Sequence, residues 1–200
     1  MAKLHFIHAA MNAGKSALLL QTEFNYREQG MPCLLLTAAM DTRAGTGRIA
    51  SRLGIGADAQ TFAPDTDLRP LLTQGKTDGV RCVLVDEAQF LSRAQVADLC
   101  WGVDHLHIPV MAYGLRTDFQ GRLFAGSAAL MALADEVREA RTICHCGKKA
   151  TMVLRKDASG RAVFDGPQVQ IGGNDLYQSV CRTHWVEAQE QAGCTDPLAR

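Results

Sequence analysis

Four short apolar stretches recur along the chain, at Leu4 to His8, Cys33 to Leu36, Cys82 to Val85 and Val110 to Tyr113. Each is too apolar to leave one face wet, and the segments between several of them have helical character. Alternation of this kind predicts an α/β fold with a parallel sheet covered on both sides. A first helix is expected from Lys15 to about Glu28, stopping before Gly30. A second opens at Ser92, a good N-cap ahead of Ala94, Val96, Ala97, Leu99 and Cys100, and a third follows Gly126 with Ala128, Leu130, Met131 and Leu133. The pattern changes near Thr142. Beyond it lie clustered cysteines, a hairpin turn at Asp157-Ala158-Ser159-Gly160 and the stretch Gly172-Gly173-Asn174. The expected organisation is therefore an α/β domain over 1–141, a small module over 142–193 and a tail over 194–200.

At 200 residues and 47% hydrophobic content, the chain suffices for one sizeable core and an appended module. Lys and Arg together number 21, as do Asp and Glu. That balance gives no sign of a nucleic-acid or membrane partner. The apolar start lacks the features of a secretion signal and no stretch approaches a membrane span, so a cytoplasmic protein is expected. Seven cysteines in such a chain argue for reduced thiols, and for metal ligation where they cluster.

The first strand runs into Ala9, Ala10, Met11, Asn12, Ala13, Gly14, Lys15 and Ser16, followed by Leu18-Leu19-Leu20. This reads as strand, phosphate loop and helix. Backbone N–H groups of the loop and the helix N-terminus would face the phosphates, Lys15 would reach the β and γ oxygens, and Ser16 would hold Mg²⁺. The leading glycine of the usual loop pattern is Ala9 here. Cys82-Val83-Leu84-Val85-Asp86-Glu87 is a buried-type strand ending in two carboxylates, with Asp86 suited to Mg²⁺. Glu87 is left to accept a proton from a substrate hydroxyl or to orient water. An arginine is needed for the transferred charge, and both Arg43 and Arg116 follow strands.

Cys144-His145-Cys146 and Cys181-Arg182-Thr183-His184 form two close pairs separated by a hairpin, the layout of a zinc ribbon. Cys144, Cys146, Cys181 and His184 would fill a tetrahedron with no open position, which makes the Zn²⁺ structural. His145 competes as a ligand, although Cys144 and Cys146 share a face more naturally in an extended segment.

Taken with Asp41-Thr42-Arg43, Val85-Asp86-Glu87-Ala88-Gln89-Phe90, Tyr113-Gly114-Leu115-Arg116-Thr117-Asp118-Phe119 and Ile171-Gly172-Gly173-Asn174 through Tyr177, these pieces resemble the zinc-containing, RecA-like thymidine kinases across nearly the whole chain. The resemblance implies a RecA-like sheet and transfer of the γ-phosphate of ATP to the 5′-hydroxyl of thymidine. It implies Glu87 as base, the loop from Ala9 to Ser16 with Asp41, Thr42, Arg43, Asp86 and Gln89 on the ATP and Mg²⁺ side, and Met11, Leu115 and Phe119 around the thymine. A lasso-like loop, here Gln168, Val169, Gln170, Ile171 and Gly172 with Tyr177, is expected to contact the nucleoside largely through backbone, with the zinc site anchoring both its ends. Inhibition by thymidine triphosphate and a homotetramer are further implications, an interface being conceivable on the helix from Ser92. From the residues alone, Met11 also reads as a core filler and Phe119 as a plain core aromatic. Two other classes share parts of the pattern: a RecA-like ATPase acting on nucleic acid, and a zinc-ribbon binding protein with a relic phosphate loop.

Overall fold

A computed structural model of the chain describes residues 1–170 and 176–194; Ile171 and Gly172 of the expected loop, and the tail from 195, lie outside the described residues. Six parallel strands form the main sheet in the order β5-β2-β6-β7-β1-β8. They are β1 (Leu4–Ala9), β2 (Cys33–Ala38), β5 (Gln60–Phe62), β6 (Cys82–Val85), β7 (Val110–Leu115) and β8 (Glu136–Glu139). An antiparallel hairpin, β3 (Arg48–Ala50) with β4 (Gly56–Asp58), precedes β5. The helices of this part are α1 (Lys15–Glu28), α2 (Arg69–Thr77), α3 (Arg93–Leu106) and α4 (Ala125–Leu133).

Strand alternation divides the buried side chains between two faces. Leu4, Phe6, Leu34, Leu36, Val83, Val85, Val110 and Ala112 join Leu72 of α2, Val96, Leu99 and Val103 of α3 and Leu130 of α4 in one core. Leu35, Cys82, Leu84 and Tyr113 join Leu19 and Leu20 of α1 and Ile49 of β3 in another. Double coverage is why the strands are apolar throughout. It also consumes the apolar stripe of α3 within the chain.

The predicted start of α3 is a reciprocal cap: the Gln95 amide donates to Ser92 Oγ (3.2 Å) and the Ser92 amide donates to Gln95 Oε1 (2.9 Å). Gln95 Nε2 also donates to the carbonyls of Ala63 and Thr66, tying down the loop after β5. Both edge strands escaped the sequence reading. β8 is Glu-Val-Arg-Glu, half-exposed, and β5 has only three residues. An edge strand does not need the continuous apolar run that marked the central ones.

The cysteine-bearing part has its own small core of Cys144, Ala150, Met152, Leu154, Phe164, Val180, Cys181 and Trp185. A short hairpin, β9 (Thr142–Ile143) with β10 (Lys149–Ala150), leads to the sheet β12-β11-β13, formed by β11 (Met152–Lys156), β12 (Ala162–Val163) and β13 (Tyr177–Val180), and then to α5 (Arg182–Gln191). The hairpin foreseen at Asp157–Gly160 joins β11 to β12, with Asp157 Oδ1 accepting from the amides of Ser159 and Arg161. Contacts to the main sheet are specific. Ser179 Oγ donates to the Met11 carbonyl (2.6 Å), Trp185 Nε1 to the Phe119 carbonyl (3.0 Å), and Gln120 Nε2 to the Phe164 carbonyl (2.7 Å).

One packing contact positions the site directly. A Cβ at Gly126 of α4 would lie 2.6 Å from the carbonyl oxygens of Ala88 and Leu91, so α4 seats on the single 3-10 turn Ala88–Phe90 only because residue 126 is glycine. Gly126→Ala is expected to lower stability by about 2 kcal/mol, an overpacking cost against rigid backbone, checked by urea unfolding.

Candidate active site

Parallel strands deliver their carboxyl ends to one side of the sheet, and the candidate residues gather there. The loop after β1 turns through left-handed backbone at Asn12 (φ 63°) and Gly14 (φ 77°) before α1 begins at Lys15. Lys15 is buried and its Nζ donates to the Ala10 carbonyl (3.2 Å), folding the side chain back over the loop. Burial pushes its ammonium below the ordinary lysine range, with the charges of Glu87 and Asp86 opposing the shift. Ser16 Oγ donates to Asp86 Oδ2 (2.9 Å), and the Glu87 amide donates to Asp86 Oδ1 (3.0 Å). Two hard oxygen donors, a hydroxyl and a carboxylate, thus meet where Mg²⁺ is expected, a donor set that suits it.

Glu87 has left-handed backbone (φ 52°), unusual for a glutamate. β6 ends at Val85 and this turn redirects the chain, so adjacent carboxylates serve different spaces instead of opposite sheet faces. Arg43 Nη2 donates to Glu87 Oε1 and Gln89 Nε2 donates to Glu87 Oε2. Arg43 is itself held by Asp41, with Nε and Nη2 each 2.7 Å from a separate carboxylate oxygen. That pairing raises the Arg43 pKa, burial opposing; at Asp41 burial pushes upward, but the guanidinium holds the carboxyl below its ordinary value. Gln89 Oε1 accepts from the Leu115 amide (2.9 Å), which fastens the network to the end of β7.

Two cavities open on this network. The larger, of about 1510 Å³, is lined by Met11, Asn12, Ala13, Gly14, Lys15 and Ser16 of the loop, by Asp86, and by the β3–β4 hairpin from Arg48 to Leu53. The smaller, of about 620 Å³, is lined by Gln89, Phe90, Thr117, Asp118, Phe119, Phe124, Val153, Gln168, Val169, Gln170 and Tyr177. Both are bordered by Met11, Asp41, Arg43, Glu87 and Leu115. Glu87 therefore stands at the junction.

Most predicted residues come together here, with some changes of place. Gln89, expected on the ATP side, lines the smaller cavity. Thr42 and Ala9 line neither; Ala9 is buried in register with Leu115, and the carbonyl of Ala10 contributes the contact to Lys15. Of the two arginines, Arg43 reaches the junction, whereas Arg116 donates to the Thr151 carbonyl (3.3 Å) and lines neither cavity. Phe119 is 1% exposed, with the Arg155 guanidinium 3.8 Å from its ring centroid, so the ring is clamped before any ligand arrives. The sequence reading missed Phe90 and Phe124, which pack edge to face (5.9 Å, 78°), and Val153, Asp118 and Arg155. Asp118 carried a signal, since an aspartate just before Gly121 is turn chemistry.

The ligand atoms of Cys144, Cys146, Cys181 and His184 all lie within 4.8 Å of one another. A tetrahedral zinc with Zn–S of about 2.3 Å sets sulfur ligands about 3.8 Å apart. Cys146 Sγ and Cys181 Sγ are 3.9 Å apart, and His184 Nδ1 is 3.3 Å from the sulfurs of Cys144 and Cys181. The residues thus fit the ion. With Nδ1 inward, His184 Nε2 faces Glu187 (3.7 Å), an arrangement that orients a ligating imidazole. His145 lies outside the four and packs its ring on His184 (centroids 4.2 Å apart). The cluster ties β9–β10 to the end of β13, and so adjoins one end of the Gln168 to Tyr177 segment, not both. The other end is held by Arg155, which donates to the carbonyls of Asp165 and Pro167.

A family model described as thymidine kinase matches residues 2–185. The chain is similar to the thymidine kinase of Ruegeria pomeroyi, 62% identical over 194 residues that cover 96% of this chain and 98% of that one. It is similar also to that of Rhizobium meliloti, at 57% over 96% of this chain and 100% of the relative, and to that of Xanthomonas axonopodis pv. citri, at 56% over 99% and 96%.

Burial, reinforced by the charge of Glu87, pushes Asp86 from an ordinary 3.8 up to about 7. Between those values the folded chain keeps a proton that the unfolded chain has released, so stability falls as pH rises through this window. Asp86→Asn is therefore expected to unfold at a higher temperature than the wild type at pH 8, both measured without nucleotide, with the gap narrowing by pH 5. A gap independent of pH would contradict the assignment.

Proposed function

The chain belongs to the thymidine kinase family, and from that membership we propose that it transfers the γ-phosphoryl group of ATP to the 5′-hydroxyl of thymidine, giving thymidine monophosphate for DNA precursor supply. As a member it is an ATP-dependent nucleoside kinase. The observation that carries the substrate assignment is the pair of cavities meeting at Glu87: a wide cleft lined by a phosphate loop, and a smaller one walled by Phe90, Phe119, Phe124 and Tyr177.

In this reading the triphosphate lies along Met11 to Ser16, with Lys15 at the β and γ oxygens. Ser16 Oγ and Asp86 would hold Mg²⁺, which would supply neutralisation of the triphosphate charge. Thymidine occupies the smaller cavity between Met11, Leu115, Phe119 and Tyr177, against the backbone of Gln168, Val169 and Gln170. Arg43 already spans Asp41 and Glu87, so its guanidinium can exchange Glu87 for a phosphoryl oxygen. That exchange frees Glu87 Oε1 to accept the hydroxyl proton while Gln89 keeps Oε2 in place. Because phosphoryl transfer passes through a loose transition state, most of this work is positioning and charge stabilisation. Cys144, Cys146, Cys181 and His184 would hold zinc, which would brace β9–β10 against β13 and α5 and so support the nucleoside side.

Thymidine triphosphate has the same two parts as the substrate pair, a thymidine head and a triphosphate tail. Since the cavities share a border, one molecule can occupy both, which is the physical basis for end-product inhibition. A cytoplasmic location is part of this reading; among the described residues, no helix is long and apolar enough to cross a membrane. For a homotetramer, α3 has spent its apolar stripe on the core, whereas α1 leaves Leu18 and Phe24 exposed.

Glu87→Gln is expected to bind ATP normally and to lose about two to four orders of magnitude in thymidine phosphorylation, measured as labelled thymidine monophosphate. ADP release stimulated by single-stranded DNA, with no thymidine monophosphate formed, would overturn the kinase assignment. Stripping zinc with a chelator is expected to raise KM for thymidine well above its effect on KM for ATP, with faster proteolysis between 142 and 191.

A further inference from the structure

Three side chains hold the stretch from Asp165 to Gln170 that walls the smaller cavity. Arg155 grips it through backbone carbonyls, and the Tyr177 hydroxyl donates to the carbonyl of Gln170 (2.8 Å). The third contact is different: Gln168 Nε2 donates to Asp118 Oδ2 (2.8 Å), the one contact of the three made to a side chain of the stretch.

Asp118 is 3% exposed, and its oxygens have separate partners. Oδ1 accepts from the amides of Gln120 and Arg122, each at 2.9 Å, which closes the turn from Asp118 to Arg122 that carries Phe119. That turn needs only one oxygen, and an asparagine would serve it equally. The second oxygen is therefore not explained by the turn. It belongs to a buried residue lining the cavity, and it faces a donor on the cavity wall. A buried acceptor deprived of its donor is costly, so this bond sets where Gln168 sits.

We propose that Asp118 is a positioning residue for nucleoside binding: through its hydrogen bond to Gln168 it locks the Gln168–Gln170 wall to the turn that carries Phe119, so that base platform and wall keep one spacing. The proposal rests on assigning the smaller cavity to the nucleoside. Asp118 itself needs no contact with the substrate. The effect belongs to the nucleoside side, because neither Asp118 nor Gln168 lines the phosphate-loop cleft.

A swap of the two groups tests it. Gln168→Glu sets two carboxylates against each other, and because Gln168 is otherwise exposed, the exchange leaves the core intact. Its KM for the nucleoside is expected to rise about tenfold or more, with KM for ATP essentially unchanged. Asp118→Asn alone is expected to be mild, since the Gln168 amide can turn over and present its oxygen. The double variant Asp118→Asn/Gln168→Glu restores a donor facing a carboxylate, and is expected to return to within about threefold of wild type. A double variant no better than Gln168→Glu, a parallel change in KM for ATP, or a Gln168→Glu protein with wild-type KM would each overturn the proposal. Should the wild type fail to phosphorylate thymidine, the functional assignment falls. The same four proteins compared on whichever nucleoside the wild type does accept still decide the role of Asp118.

Discussion

A largely buried carboxylate at a strand end has to be paired, and the pairing of Glu87 organises the rest of this site. Its two oxygens are taken from different directions, by Arg43 from the segment after β2 and by Gln89 from the turn after β6. Gln89 is fixed in turn by the Leu115 amide at the end of β7. These three strands are neighbours in the sheet, so the sheet order itself brings the partners within reach. The left-handed backbone at Glu87, which costs on the order of 1 kcal/mol or more, is tolerated because the same network holds it. Arg43 thus joins Glu87 to Asp41, and Gln89 joins it to the end of β7.

The cysteine-bearing part meets this centre at the wall of the smaller cavity, which Val153, Gln168, Val169, Gln170 and Tyr177 line. Cys181 stands immediately before α5, His184 lies in the first turn of that helix, and the next residue, Trp185, donates to the Phe119 carbonyl. Arg155, one strand away, rests on the Phe119 ring and grips the chain before Gln168. Gly166 approaches Arg155 so closely that a Cβ there would stand 2.8 Å from its guanidinium, so the grip depends on that glycine. Phe119 is thus fixed by its backbone from the helix that carries His184 and by its ring from the cavity-wall side. A metal held by Cys144, Cys146, Cys181 and His184 would bear on the smaller cavity in this way, through a few directional contacts.

The linear pattern carried the central strands, α1, the start of α3 and the hairpin at Asp157–Gly160, because each is a local device. A buried strand must be apolar, a helix start needs a cap, and a hairpin needs turn residues. The hairpin β3–β4, the strands β5 and β8 and the pairing of Asp118 with Gln168 left no comparable trace. Edge strands with half-wet faces look like loops, and a hydrogen bond between residues 50 positions apart has no local signature. Gln89 shows the same limit: the resemblance implied the ATP side, and the 3-10 turn after Glu87 puts it on the other cavity.

By itself, then, the sequence determined the kinds of chemistry present: a phosphate loop with Lys15 and Ser16, paired carboxylates at Asp86 and Glu87, and three thiols and an imidazole in two short-range pairs. Short motifs encode chemistry because neighbouring atoms are held together by the chain itself. What the tertiary structure decided was which groups face one another across it. It brought Arg43 and not Arg116 to the cavity junction, put Met11 on the border of both cavities, clamped Phe119 under Arg155, and aimed the second oxygen of Asp118 at Gln168. Those relations depend on strand order, on crossovers and on one small core packed against a larger one, and such distances exist only after the chain has folded.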